Sequence, residues 1–394
     1  MADATADGPV AAPDPRIVIW SLSVSNFVIG MGAFVLIGLV NPMAESLGTS
    51  ATAIGTAMTT YAIAYAILSP VLVSLTGGLG RRRLLALAMA IFALGNLGTA
   101  LAPSELFVHL SRVVAAAGAG MFTPVTASVA SALSPPERQG KALAAVIVGL
   151  TVAQVAGVPM GSFVGYTFGW RTGFLIVVAL ALPCLWLIWT RVPKGLEIPP
   201  ASLADLGRTL SNGPAMLAIL FTATFLGAVY VLYTYLAPLL SETMGFGRNG
   251  VTMALLVFGA GAVAGNIIGG WMADRLGAVA TLLILSGAQA VIMPLFWFLP
   301  MATWLLIALL GAWSVFGWSF MAGQQVRILS ILPERPGVVL ALNAAAIYVG
   351  AAIGSGIGGL VLTQAPLTAL GPVAGIGAAM AFGHVLLSRR VSGQ

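Results

Sequence analysis

The pentapeptide Pro136-Glu-Arg-Gln-Gly140 returns with one change as Pro333-Glu-Arg-Pro-Gly337, 197 residues later in a chain of 394. The same offset carries Gly80 onto Gly277, Gly157 onto Gly354 and Gly161 onto Gly358. A chain made of two copies of one unit must fold as two related halves. Polarity narrows what the unit can be. Charged residues make up 7% of the chain and hydrophobic residues 59%, whereas a water-soluble domain carries roughly 25% charged residues. There is too little polar surface to cover a globule in water, so the chain is read as a polytopic membrane protein in contact with a lipid bilayer.

Apolar stretches of about 20 residues cross the hydrocarbon as helices. Twelve are predicted, near 17–40, 51–76, 82–102, 106–131, 141–166, 171–190, 214–239, 251–272, 279–299, 303–326, 337–362 and 367–388. The expected fold is therefore an all-α membrane protein, with twelve transmembrane helices in two pseudo-symmetric six-helix bundles. Residues 1–15 read as a disordered cytoplasmic tail, 16–190 as the first bundle, 191–213 as a cytoplasmic linker and 214–394 as the second bundle. The linker carries Pro193, Pro199 and Pro200 among three basic residues.

With both termini in the cytoplasm, fourteen of the seventeen Lys and Arg fall in cytoplasmic segments, Arg81–Arg83, Arg138, Arg275, Arg327 and Arg335 among them. The net charge of +6 is thus a topology signal, and no nucleic-acid partner is expected. The lone Cys184 allows no intrachain disulfide, and neither a metal cluster nor a cofactor is expected. With no phosphate-binding loop, direct use of ATP is not expected. With two His, one Cys and no clustered carboxylates, an enzyme is not expected either.

The segment Gly270-Trp-Met-Ala-Asp274-Arg275-Leu-Gly277 resembles the G-x-x-A-D-R-x-G signature of the major facilitator superfamily. Arg112-x5-Gly118-Ala-Gly120 is similar to that superfamily's intramembrane arginine motif. Gly149-x7-Gly157-Val-Pro159-Met-Gly161 resembles the glycine-proline motif of its twelve-span drug/proton antiporters. The run Gln324-Gln-Val-Arg327, followed by the second Pro-Glu-Arg-Pro-Gly loop and Asn343, resembles the arabinose-efflux and nucleoside-efflux permease branch.

The resemblance implies a bacterial inner-membrane efflux transporter, a monomer that moves a drug, sugar or nucleoside-like compound by alternating access in exchange for protons. An uncoupled facilitator or importer of the same fold, or a non-transporting ligand sensor, are the alternatives. It also implies a cavity between helices 1, 4, 7 and 10, with 2, 5, 8 and 11 beside them. Those helices offer Asn26, Phe34, Tyr61, Tyr65, Arg112, Gln154, Tyr230, Tyr233, Thr234, Trp313, Phe316, Gln324 and Asn343. Aromatic rings with a few amides suit a neutral or weakly amphipathic ligand.

Gating is expected of Asp274, Arg275 and Gly277, with Asp274 able to cap the following helix or to pair with Arg across the halves. In the first half the offset places Gly77 opposite Asp274, so only the basic residues from Arg81 survive there; Arg81 serves either gating or, with Arg82 and Arg83, topology and lipid headgroup contact. Gly157 and Gly161 start a small-residue stripe that serves either static packing or a sliding gate contact, and Pro159 should bend its helix. Glu105, His109 and Arg112 share one helix face at i, i+4 and i+7. They form either a proton relay or an interfacial pair beside a structural arginine. Related permeases often carry an acid at the position resembling Ala33, which is missing here.

Overall fold

The computed structural model of the chain describes residues 14–76, 78–135, 139–196, 203–334 and 336–393. In the first half these form α1 (Pro15–Leu47), α2 (Ala51–Leu75), α3 (Arg81–Ala100), α4 (Glu105–Ala132), α5 (Gln139–Val152), α6 (Val158–Phe168) and α7 (Trp170–Arg191). A short α8 (Leu203–Leu210) occupies the predicted linker. The second half has α9 (Gly213–Tyr233), α10 (Leu236–Met244), α11 (Arg248–Leu276), α12 (Ala278–Ile292), α13 (Thr303–Trp318), α14 (Phe320–Ile331), α15 (Pro336–Leu362) and α16 (Leu370–Ser392). No strand occurs among the described residues. That is the expected outcome in lipid, where a helix satisfies its own backbone.

Among the described residues, eleven stretches are long and apolar enough to cross a membrane. The remaining predicted span, the fifth, is present but interrupted: α5 and α6 are joined by a π-turn over Ala153–Gly157. The cause is local. Pro159 has no N–H to offer the carbonyl four residues back, and the wider turn rejoins the ladder, with Val158 N donating to Ala153 O. The seventh span breaks between α9 and α10, and the tenth at Ser319 between α13 and α14.

The most buried spans are α1, with 89% of its most apolar window inside the protein, and α9–α10, with 78%. For α7, α12 and α16 the shares are 33% to 39%. The first two are therefore central and the others peripheral, leaving side chains such as Leu182, Trp186 and Met380 facing outward. The glycine stripes knit each half internally. Gly157, Gly161 and Gly165 admit Met31, Val35 and Leu39 of α1, while Gly350 and Gly354 lie against the α9 backbone. Gly261, Gly265 and Gly269 do the same against α13 and Ser319. All three stripes join helices of one half.

The halves meet where α2 packs on α15 and where α6 and the π-turn pack on α11, the two pairings that a twofold relation between copies produces. Thr59 and Ser355 share a 2.6 Å hydroxyl hydrogen bond across this boundary. Arg248 donates to Thr167 Oγ1 at 3.1 Å and lies 5.1 Å from the centre of the Phe163 ring. These contacts lie at the end away from both chain termini, here called the loop end. At the terminal end α5 packs on α1 and α4 of its own half.

Three expectations need correction. Arg327, assigned to a cytoplasmic segment, lies within α14 and is 1% exposed, donating to Ser388 of α16. Arg81 opens α3 and is likewise buried. Asp274 caps nothing: it sits in the last turn of α11, and α12 starts from Gly277 without a side-chain cap. Gly277 has φ +81°, a conformation that L side chains rarely adopt, which accounts for glycine at the end of that motif.

Candidate functional site

Midway along the spans the halves are closed by aromatic rings. Tyr65 of α2 stacks on Tyr348 of α15 with centroids 3.8 Å apart, and Tyr61 lies 6.5 and 6.4 Å from the two. Phe34 of α1 stacks on Tyr230 of α9 at 6.4 Å. From Tyr230 the series continues edge-on to Tyr233 at 5.8 Å, then to Phe258 and Trp313. Six of the seven tyrosines (Tyr61, Tyr65, Tyr230, Tyr233, Tyr235 and Tyr348) are buried along this boundary. Tyrosine suits the position because its ring packs like a hydrocarbon while its hydroxyl seeks a partner. Tyr235 finds one in Ser355 O at 3.1 Å. The hydroxyls of Tyr61, Tyr230 and Thr234 are buried with no protein partner among the described residues.

Arg112 stands behind this seam, fully buried on α4. Its two terminal nitrogens donate to Gly32 O at 2.7 Å and Ala33 O at 2.8 Å. Its guanidinium carbon lies 4.2 Å from the centre of the Tyr61 ring. A buried cation is tolerable when carbonyl dipoles and a ring face replace its water. One side chain therefore fixes α4 to α1 and to the ring that α2 contributes to the seam.

Glu105 and His109 are brought together further out, at 3.9 Å. Glu105 accepts from Thr49 Oγ1 at 2.7 Å, and His109 Nδ1 lies 2.6 Å from Thr60 Oγ1. The string runs from α4 to α2, while the hydrogen bonds of Arg112 go to α1.

Toward the terminal end, each half carries an amide cluster at corresponding places. In the first, Asn26 Nδ2 donates to Thr126 Oγ1 at 3.1 Å and Val146 O at 3.2 Å. In the second, Thr222 donates to Asn343 Oδ1 at 2.6 Å, and Gln324 Nε2 donates to Ala218 O at 2.8 Å and Asn343 Oδ1 at 3.3 Å. The repeat offset pairs Val146 with Asn343, so a main-chain acceptor in one copy is replaced by a side-chain acceptor in the other. Each cluster ties three spans of its half together. Replacing Asn343 with leucine leaves Thr222 and one Gln324 donor without their acceptor, at about 1–3 kcal/mol per orphaned buried group. The variant should unfold at lower temperature in a fluorescence melt, and an unchanged melt would contradict this account.

The remaining candidates divide clearly. Trp313 is fully buried against Phe258, Phe296 and Tyr233, within the second half. Phe316 is only half-buried. Gly157 and Pro159 are buried beside the π-turn, and Gly161 packs on Val35. Asp274 and Arg275 are exposed at the terminal end, and no ion pair involves them among the described residues. The Gln154 side chain lies outside the described residues, although its backbone belongs to the π-turn. Sequence reasoning passed over Tyr348, the ring nearest Tyr65. A signal existed: Tyr348, Ala352, Ser355 and Gly359 recur at four, three and four along one face of α15, and the structure sets that face against α2.

The comparisons with known proteins agree with this architecture. The Major Facilitator Superfamily profile matches residues 22–355. The uncharacterized MFS-type transporter YtbD of Bacillus subtilis is 31% identical over 377 residues, covering 93% of each chain. The inner membrane transport protein YdhP of Escherichia coli is 30% identical over 373 residues, covering 94% of this chain and 95% of its own. Among solved structures, the xylose transporter XylE from E. coli, partially occluded and inward open, superposes with TM-score 0.73 at 14% identity, covering 94% of this chain and 96% of that one. A bacterial homolog of the human lysosomal transporter Spinster, inward-facing and unoccupied, gives 0.69 at 18%, covering 96% and 95%. At those identities the structural likeness is one of fold.

Proposed function

The chain belongs to the major facilitator superfamily, and from that premise we propose that it exports a small organic compound by alternating access, in exchange for protons. The observation that carries this reading is the aromatic seam at mid-membrane. Phe34, Tyr61, Tyr65, Tyr230 and Tyr348 come from both halves, and hydroxyls of Tyr61, Tyr230 and Thr234 have no protein partner among the described residues. Rings with a few free hydroxyls favour a neutral or weakly amphipathic ligand that carries its own acceptors, such as a drug, sugar or nucleoside-like compound. The positive-inside distribution puts the terminal end in the cytoplasm of a bacterial inner membrane. The Thr59–Ser355 and Arg248–Thr167 contacts then close the outer side. Opening of the loop end, with the seam parting between Tyr65 and Tyr348, is the opposite state.

For the coupling ion, the group in reach is the Glu105–His109–Thr60 string, since an imidazole can both give and take a proton at its ring nitrogens. A second reading, an uncoupled facilitator, is favoured by one observation. Glu45, Glu105, Glu242, Asp274 and Glu334 all lie at helix ends or in turns, and Arg112 meets carbonyls rather than a carboxylate. Thermal-shift screening against antibiotics, sugars and nucleosides supplies a compound, and its uptake into proteoliposomes is then measured with and without a pH gradient. Antiport predicts acceleration by a gradient opposing the compound's movement, and loss of that acceleration in His109→Gln. Transport indifferent to the gradient would overturn antiport in favour of the facilitator.

A further inference from the structure

A groove of about 540 Å³ lies on the outer flank of the first bundle, between α3 and α7. Its walls include Leu87, Leu182, Leu185 and Trp186, and its terminal end is bounded by Arg83 and Trp189. Among the described residues, no acidic side chain lines it. Arg82 stands beside this end, its guanidinium carbon 4.5 Å from the centre of the Trp189 ring and its Nη1 donating to Trp189 O at 3.2 Å. Arg83 is exposed, and Trp186 and Trp189 leave 61% and 49% of their surface uncovered. From Arg83 to Ala90 the groove runs about 10 Å along α3 at 1.5 Å per residue.

The chain supplies its own comparison. The 197-residue offset places Val279 and Ala280 opposite Arg82 and Arg83, and Gly383 and Leu386 opposite Trp186 and Trp189. The two halves share a scaffold, but only the first carries two cations and two indoles at this flank. Orientation explains part of the basic excess at the terminal end. It does not explain an arginine held against an indole at the mouth of an apolar furrow.

We propose that this groove is a binding site for an anionic phospholipid of the leaflet at the terminal end. The phosphate meets Arg82 and Arg83, the indoles of Trp186 and Trp189 lie at headgroup depth, and an acyl chain follows Leu87 and Leu182. Each part matches its surroundings: guanidinium pairs with phosphate oxygens, Trp suits the membrane–water boundary, and a wall of leucine and alanine suits hydrocarbon.

The test uses the full chain in nanodiscs of equal phosphatidylglycerol and phosphatidylcholine, released into native mass spectrometry. The wild type should retain phosphatidylglycerol over phosphatidylcholine. Arg82→Gln with Arg83→Gln should lower that preference by about fivefold for each arginine, the effect of a basic residue at an anionic surface. Arg389→Gln with Arg390→Gln, the same loss of charge elsewhere at the terminal end, should leave it intact. Ala90→Trp, which fills the furrow without changing charge, should also displace the lipid. Equal retention of both lipids by the wild type, or an equal loss of preference in the two arginine pairs, would overturn the proposal. So would retention of phosphatidylglycerol by Ala90→Trp at the wild-type level.

Discussion

Arg112→Ala should abolish transport while leaving a folded protein. The arginine joins α4 to α1 through the Gly32 and Ala33 carbonyls and holds the Tyr61 ring by its face. A charge-assisted hydrogen bond contributes about 1.5–3 kcal/mol. If both are used to align the seam, the rate should fall about 100-fold or more. Folding should survive because the two carbonyls belong to the continuous helix α1 and keep their helical donors, and because removing a buried cation also removes its desolvation cost. Arg112→Lys should restore little: an ammonium is a point charge that cannot bridge two adjacent carbonyls while lying flat on a ring. Initial rates in proteoliposomes, with tryptophan-fluorescence melts as the folding control, decide the matter. Transport by Arg112→Ala at the wild-type rate would refute the role given to Arg112.

Much of the scaffold was legible because it is written in residues whose physics is local. Two copies of Pro-Glu-Arg-x-Gly exposed the duplication, and the apolar runs marked the spans. Pro159 announced the broken fifth span, although not the π-turn by which the chain accommodates it. What sequence could not supply was partnership between distant residues. The acceptors of Arg112 are not marked in the sequence, and the choice of Gly32 O and Ala33 O depends on the rotation of α1 against α4. Arg327 reads as a loop cation because it precedes a Pro-Glu-Arg-Pro-Gly turn, yet α14 carries on past it and buries it against Ser388. Tyr348 was missed because it has no motif of its own. It becomes visible only when α15 is laid against α2 and its ring meets Tyr65.

The amide clusters extend the lesson that the asymmetries of the repeat matter more than its identities. Val146 and Asn343 are offset partners, yet one lends a main-chain carbonyl and the other an amide side chain to the same kind of three-helix tie. Both ties bind helices within a half. If the halves move as bodies, these clusters should persist, and the bonds that break should be those crossing the boundary at the loop end.

A cysteine pair at Thr59 and Ser355 tests that claim most directly. Their hydroxyl oxygens are 2.6 Å apart across the halves, so cysteines at these positions bring their sulfurs close enough to meet the demands of a disulfide. The buried Cys184, the only native cysteine, is replaced by serine to leave one possible crosslink. In proteoliposomes, mild oxidation should join the halves at the loop end and stop transport, because a bundle pinned there cannot open outward. Reductant should restore the rate of the unoxidised protein. Undiminished transport by fully crosslinked protein would mean that the halves need not part at this boundary, and the alternating-access account built on it would fail.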